Sequence, residues 1–363
     1  MMRILILFSS SELGGAERSL SRMAIASSNV NYKLATIKGE GPWCDWIRSQ
    51  GMQPIVFGKG GSHGSGGMFG AMVRMLRYLR SSPVDVVYVC GVRASLWVRL
   101  LRLLVPTTKV IHGVRWNPDS NSHLDRFFRL VERSTGLLVN AWITNSEAAK
   151  RTLVEHCGIK TDHIHVIYNG LDALPEELPK FDSRPLEVLT VANLNPRKGH
   201  REFLQVIHKV LQRVPDARFI FIGRDDMNGT VQEAINIAGL QDSVCYQGFQ
   251  SDVTPWLKRA RLFVLPSLWG EGCPTSILEA FSFGVPVIAH AIDGVPELVE
   301  DGRDGYLLSV GDEALIDRIV ELLINPELAE KMGQLGRAKV AERFVLASCV
   351  NRHEAVYSEM VNN

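Results

Sequence analysis

Short apolar runs, each closed by a Gly-, Ser- or Asn-containing turn and followed by a helical pattern, recur along the whole chain. Ile4–Phe8, Tyr32–Ile37, Val84–Val89, Lys109–Ile111, Ala141–Thr144 and His165–Tyr168 make a first series. Leu186–Val191, Arg218–Ile222, Val244–Gln247, Arg261–Leu265 and Val287–Ala289 make a second. Runs that are apolar at consecutive positions read as strands covered on both faces, which is the condition of a parallel sheet. Helical patterns fall between them, among others at Trp43–Gln50, Met68–Arg80, Asp125–Leu137, Glu202–Arg213 and Gln232–Ala238. Strand and helix in alternation give the α/β class. The two series are separated by A-L-P-E-E-L-P-K-F-D-S-R-P (173–185), three prolines among mixed charges, which reads as a linker. The expectation is therefore two Rossmann-like doubly wound domains, 1–172 and 186–340, with a last segment at 341–363; 363 residues suffice for two cores.

Charge divides along the same line. Up to Lys180 there are 22 basic and 14 acidic residues, against 18 and 25 in the remainder. The excess is densest between Lys59 and Arg133, with 12 basic residues to 4 acidic. That half of the chain suits an anionic partner or membrane surface. Two stretches there, Met68–Arg80 and Arg93–Val105, mix Arg with Leu and Met in a way that fits either core packing or docking onto anionic lipid. The intervening K-G-G-S-H-G-S-G-G (59–67) reads as a loop. The six cysteines form no C-x-x-C pair, which favours a reducing compartment over a structural zinc site. The apolar core of M-M-R-I-L-I-L-F is too short for a signal peptide, and no run reaches the roughly 18–20 residues of a membrane span. A cytoplasmic protein, at most peripheral on the membrane face, is expected.

The chemistry concentrates in W-G-E-G-C-P-T-S-I-L-E-A-F (269–281). Pro274 reads as the first position of a helix, where its missing N–H costs nothing. The N–H groups of Thr275 and Ser276 would then face outward, and a helix start attracts phosphate or carboxylate. Glu271 and Glu279 flank that start. Arg197 and Lys198 follow the first strand of the second series, where a guanidinium fork and an ammonium can neutralise a diphosphate. Gly14 and Gly15 open a helix after the first strand, although G-x-G-x-x-G is absent, which disfavours a dinucleotide oxidoreductase. His112 is expected just beyond the end of its strand, where open α/β sheets hold ligands.

Together these segments resemble glycosyltransferase family 4, the retaining nucleotide-sugar transferases of GT-B architecture. The resemblance runs through L-G-G-A-E-R, I-T-N-S-E-A-A-K, V-I-Y-N-G-L-D, V-A-N-L-N-P-R-K-G-H, E-G-C-P-T-S-I-L-E-A-F-S-F-G-V-P-V-I-A and G-V-P-E-L-V-E-D-G-R-D-G-Y-L-L, in that order. It implies two Rossmann-like domains facing each other across a cleft, with the final helix crossing back to the first. It also implies roles. Glu279 would bind the donor ribose and Glu271 a hydroxyl of the transferred sugar, with Gly272, Cys273 and Pro274 beside it. Thr275 and Ser276 would bind phosphate through main-chain N–H groups. Lys198, helped by Arg197, would stabilise the departing diphosphate. Gly14 and Gly15 would approach the same phosphates, and His112 would contact the donor sugar. Base contacts would come from near Gly223, Gly248 and Phe249.

A hexose-type sugar would thus pass from a nucleoside-diphosphate donor, UDP favoured over GDP, to a hydroxyl of a glycan or lipid-linked acceptor. Such chemistry belongs to surface polysaccharide or glycolipid assembly, with no nucleic acid as partner. Fixed cations and N–H donors can take the place of a metal, and the cleft segments contain no D-x-D-like motif, so no cofactor is expected. Two departures stand out: Ala192-Asn193 where many relatives have Gly-Arg, and Cys273 where a bulkier apolar residue is common. The alternatives left open are an inactive GT-B scaffold and a nucleotide-sugar epimerase of the same architecture.

Overall fold

The computed structural model describes residues 1–59, 65–118 and 123–362. The chain divides into two compact units, Met1–Gly170 with Leu346–Asn363, and Leu171–Val345.

In the first unit the elements alternate as β1 (Arg3–Phe8), α1 (Gly15–Ala26), β2 (Asn31–Thr36), α2 (Pro42–Ser49), β3 (Ile55–Val56), α3 (Ser65–Ser81) and β4 (Val86–Cys90). Then come α4 (Val92–Arg102), β5 (Lys109–Val114), α5 (His123–Thr135), β6 (Ala141–Thr144), α6 (Glu147–Cys157) and β7 (Ile164–Val166). The strands form one parallel sheet in the order β3-β2-β1-β4-β5-β6-β7. Alternate side chains of β1 serve opposite cores. Ile4, Ile6 and Phe8 pack with Leu20, Met23, Trp43 and Ile47, while Leu5 and Leu7 pack with Met72, Met75 and Val98. Both faces being covered is why the runs are continuously apolar. The C-terminal helix (Leu346–Asn362) belongs to this unit: Leu346, Cys349, Val350, His353, Val356 and Tyr357 repeat at helical spacing and are buried.

The second unit runs β8 (Glu187–Val191), α7 (His200–Leu211), β9 (Arg218–Ile222), α8 (Thr230–Ile237), β10 (Val244–Tyr246) and α9 (Thr254–Arg259). It continues with β11 (Leu262–Leu265), α10 (Thr275–Ser282), β12 (Val287–His290), β13 (Gly305–Leu308), α11 (Ala314–Ile324) and α12 (Pro326–Arg343). Its parallel sheet has the order β10-β9-β8-β11-β12-β13. In each sheet the order reverses once, between β1 and β4 and between β8 and β11. Loops leave such a point in opposite directions and open a crevice at the strands' carboxyl ends.

Several local expectations shift. Of the loop 59–67, residues 60–64 lie outside the described residues, and Ser65 already begins α3. The expected helix Asp125–Leu137 starts at His123 and gives way at Gly136 to a 3-10 turn, Gly136–Leu138. β3 and β13 escape notice because one has two residues and the other opens on Gly305. Part of the proline-rich segment is fastened to the second unit: Phe181 is buried, with the guanidinium of Arg184 4.9 Å and that of Arg261 5.2 Å from its ring centroid. Arg184 also donates to the carbonyls of Ala260 and Phe283, at 3.1 and 2.8 Å.

Candidate active site

The crevice of the second sheet is built first of backbone. Past β8, Pro196–Lys198 form a 3-10 helix that Asn195 precedes and Gly199 closes at φ +68°. A Cβ at Gly199 would stand 2.2 Å from the Pro266 carbonyl oxygen, so only glycine lets the loops after β8 and β11 meet. Gly223, just past β9, is under the same constraint: a Cβ there would be 2.1 Å from the Ala192 oxygen. Asn193 accepts from the Arg224 N–H at 3.1 Å, and Gly223 donates to the Gly248 carbonyl at 3.0 Å. Asn193, Gly223 and Gly248 therefore line up at the carboxyl ends of β8, β9 and β10. Phe249 follows them, exposed.

Within that frame lies a buried polar cluster. The Lys198 ammonium is in direct contact with Glu271 Oε1, the two side chains being 12% and 6% exposed. Ser267 donates to the same carboxylate oxygen. Burial pushes the Glu271 carboxyl up, but Lys198, Arg197 and the bonds from Lys198 and Ser267 outweigh it and hold the group below its ordinary value. Burial lowers the Lys198 ammonium, Glu271 opposing and Arg197 reinforcing that shift. The result is a desolvated carboxylate and cation whose donors are few and fixed.

The loop carrying Glu271 is clamped from two sides. Asp293 accepts from the N–H groups of Gly270 and Glu271, at 2.6 and 2.9 Å, from a left-handed backbone at φ +50°. Asp is among the few residues that tolerate that conformation. Opposite, Arg197 donates to the Gly270 carbonyl at 2.8 Å, while its own carbonyl accepts from the Leu268 N–H at 2.7 Å. Arg197 thus serves here as a brace for the loop, a use its place beside Lys198 did not announce. His290 completes the shell, with Nδ1 3.0 Å from the Ser267 carbonyl oxygen. Gly272 and Cys273 are buried.

Pro274 is the N-cap of α10, at φ −62° and ψ 112°, rather than its first helical residue. The difference leaves the expected donors in place: the N–H groups of Thr275 and Ser276 belong to the first turn, ahead of the helical ladder. Glu279 is partly buried one turn on and shares their face by i+4 and i+3 spacing. The structure thus brings Lys198, Glu271, Thr275, Ser276 and Glu279 to one end of one sheet. Ser267 and Asp293 were not singled out from the sequence. The sequence signals that could have found them are the Pro-Ser closing β11 and the Asp-Gly pair ahead of Val295.

In the first unit, Gly14 is the N-cap of α1 and Gly15 its first residue, beside the β1/β4 switch point. His112 is not where it was expected. β5 runs on to Val114, so His112 sits mid-strand, paired in register with Val89 and Trp142, and is fully buried. Its Nδ1 lies 2.8 Å from Glu132 Oε1, which also takes Arg99 at 2.6 Å, while Trp142 donates to Oε2 at 2.6 Å. Burial lowers its pKa. The imidazole is a member of a core polar cluster, because two more apolar-compatible residues, Gly113 and Val114, extend the strand past it. The residue past the strand end is Arg115, whose guanidinium donates to Ser19 at 3.1 Å and to Asn169.

Two doubly wound units in one chain, the second with a buried Lys–Glu pair and a helix start at its switch point, define a GT-B protein. Residues 13–173 match Glycosyltransferase Family 4, and residues 175–339 match the glycosyl transferases group 1. The chain belongs to the family 4 type of glycosyltransferases. It is 24% identical over 316 residues to the Escherichia coli UDP-Gal:alpha-D-GlcNAc-diphosphoundecaprenol alpha-1,3-galactosyltransferase, covering 81% of this chain and 80% of that protein. It is 27% identical over 231 residues to the Bacillus anthracis N-acetyl-alpha-D-glucosaminyl L-malate synthase, covering 58% and 60%. Matches to four further curated relatives span only 43% to 48% of their length. Among solved structures, Anabaena Alr3699/HepE in complex with UDP and glucose superposes with a TM-score of 0.84 at 20% identity, over 99% of this chain and 100% of that one. At that identity the likeness speaks for the fold.

Proposed function

We propose that the protein is a retaining, metal-independent hexosyltransferase that uses a nucleoside-diphosphate sugar, UDP in preference to GDP. The acceptor is a hydroxyl of a glycan or lipid-linked sugar, in polysaccharide or glycolipid assembly. The observation that carries the reading is the desolvated Lys198–Glu271 pair beside the start of α10. The preference for UDP is supported by the similarity to the UDP-Gal-dependent Escherichia coli galactosyltransferase and to HepE in complex with UDP and glucose.

In this reading the diphosphate lies against the N–H groups of Thr275 and Ser276, and Lys198 turns from Glu271 toward the leaving oxygen. Heterolysis of the anomeric C–O bond builds negative charge on that oxygen, and a preorganised cation in a desolvated site stabilises it as it forms. Glu271, released from Lys198 but still held by Ser267, takes a hydroxyl of the transferred sugar. Glu279 takes the ribose hydroxyls. The acceptor oxygen bonds to the anomeric carbon from the face the diphosphate leaves, and its proton passes to the departing phosphate. Asn193, Gly223, Gly248 and Phe249 flank the base, and Gly14 and Gly15 approach the phosphates. His112 has no part in this reading. The test is a panel of UDP- and GDP-sugars with and without glycan acceptors, following nucleotide release and the anomeric configuration of the product. A product of inverted configuration, or no turnover with any donor, overturns it. Release of diphosphate only with acceptor separates transfer from epimerisation.

A further inference from the structure

The amphipathic stretches of the first unit separate once folded. In α3, Met72, Met75 and Leu79 turn onto the sheet and Arg74 donates to the Phe57 carbonyl at 2.6 Å, so that helix packs as an ordinary sheet-covering element. α4, α5 and the turn Gly136–Leu138 behave differently. They lie side by side, α4 bound to α5 through Arg99 and to the turn through Arg102, which donates to the Leu138 carbonyl at 2.7 Å. Their inner faces are core: Val98, Phe128 and Val131 are buried. Their outer faces are apolar too. Leu100 is exposed on α4 and Leu103 and Leu104 in the turn that follows it, Phe127 and Leu130 on α5, and Leu137 is 98% exposed on the turn Gly136–Leu138. Phe127 and Leu130 share one face of α5 at i, i+3 spacing, and Leu137 with the leucines at and just past the end of α4 adds to the exposed apolar surface.

The charges around that surface are of one sign. Arg93, Arg126 and Arg133 are exposed and Arg102 and Arg129 partly so, while Asp125 and Glu132, the acids of this region among the described residues, are buried. A helix face with long apolar side chains rimmed by arginines, lacking exposed acid, is the composition that lies in a lipid interface, the alkyl groups in the acyl boundary and the cations at anionic headgroups. A second copy is disfavoured by symmetry: a two-fold interface would set the arginine rim against itself. No helix among the described residues is long and apolar enough to cross a membrane.

We infer that the outer face of α4, α5 and the turn Gly136–Leu138 docks the protein onto an anionic lipid bilayer. The inference deepens the reading above, since a surface-bound enzyme would meet a lipid-linked acceptor in two dimensions, and its test is independent of catalysis. The full chain is pelleted with vesicles of phosphatidylcholine alone or with added phosphatidylglycerol, at low and high salt, with no acceptor lipid present. Binding to the anionic vesicles is expected, weak on neutral ones and reduced by salt. At about 1 kcal/mol per arginine near the surface, Arg126→Glu with Arg133→Glu weakens binding about tenfold or more. Leu130→Asp with Leu137→Asp weakens it comparably, with thermal unfolding and nucleotide binding unchanged. Equal binding to neutral vesicles, no binding at all, or no effect of either pair overturns the inference. So does a dimer that Leu130→Asp with Leu137→Asp dissociates, which assigns the face to a second copy. Retained nucleotide binding without vesicle binding would defeat this inference alone, leaving the transfer reading intact.

Discussion

Lys198 and Glu271, 73 residues apart in sequence, meet directly beneath the carboxyl edge of the second sheet, where each is the principal charged partner of the other. Breaking a buried pair from one side leaves the remaining charge unpaired, at a cost of about 3–5 kcal/mol. Lys198→Ala should therefore lower the unfolding midpoint as well as turnover, whereas Lys198→Ala with Glu271→Ala should regain much of the stability and none of the turnover. For turnover, loss of one preorganised donor at the leaving oxygen predicts a fall of about 10²–10³-fold. Chemical denaturation and donor-release rates on the wild type and these two variants separate the two effects.

The pair also sets a pH dependence. Lys198 has a lowered pKa through burial, so as pH rises its proton is lost earlier than from a free lysine and turnover falls on an alkaline limb below the ordinary lysine value. Lys198→Arg, which stays protonated, should move that limb upward or abolish it, at reduced maximal rate. Rate against pH for the two proteins checks this.

Asp293 positions rather than reacts. Removing its carboxylate frees the N–H groups of Gly270 and Glu271, and an unmade buried bond costs about 1–3 kcal/mol. Asp293→Ala should lower kcat by about tenfold or more, with a smaller change in the affinity for free nucleotide. Asp293→Asn keeps an acceptor and tolerates positive φ, so it should recover most of the loss. Equal damage in both variants would make the carboxylate charge the point.

His353 and His200 foretell acid sensitivity. Burial pushes their pKa values down to about 3 and about 4, from an ordinary 6.5. Between those values the unfolded chain binds protons that the folded one does not, so stability falls as pH falls from near 6.5. Each group contributes a slope of about 1.4 kcal/mol per pH unit. Denaturation midpoints between pH 7 and pH 4, compared with His353→Gln, should show a shallower decline in the variant.

The core cluster of Arg99, Glu132 and His112 makes a contrasting case. Glu132→Gln leaves Arg99 and His112 without their shared carboxylate and should cost about 3–5 kcal/mol, with turnover of the remaining folded protein unchanged. That outcome would separate a histidine that holds the fold from one that touches substrate.

What could be read in advance follows from distance along the chain. The strands were legible because parallel sheets covered on both faces demand unbroken apolar runs, and Glu271, Thr275, Ser276 and Glu279 because one helix start gathers them locally. His112 misled because a strand's end depends on neighbours: Gly113 and Val114 pair with Ile143 and Thr144 and carry β5 past it. The bond of Arg197 to the Gly270 carbonyl, 73 residues away in sequence, could not be read from its place beside Lys198. Asp293 was invisible for the same reason. Its task is to hold two N–H groups more than 20 residues upstream, and no spacing rule encodes that.

The most direct test of the donor site is calorimetric titration of the wild type and Lys198→Ala with UDP and GDP. The account predicts one UDP site per chain in the wild type, weaker GDP binding, and UDP affinity reduced about tenfold or more in the variant, as expected for a lost charge-assisted hydrogen bond. Absence of binding to either nucleotide, or equal affinity for UDP in both proteins, would contradict it.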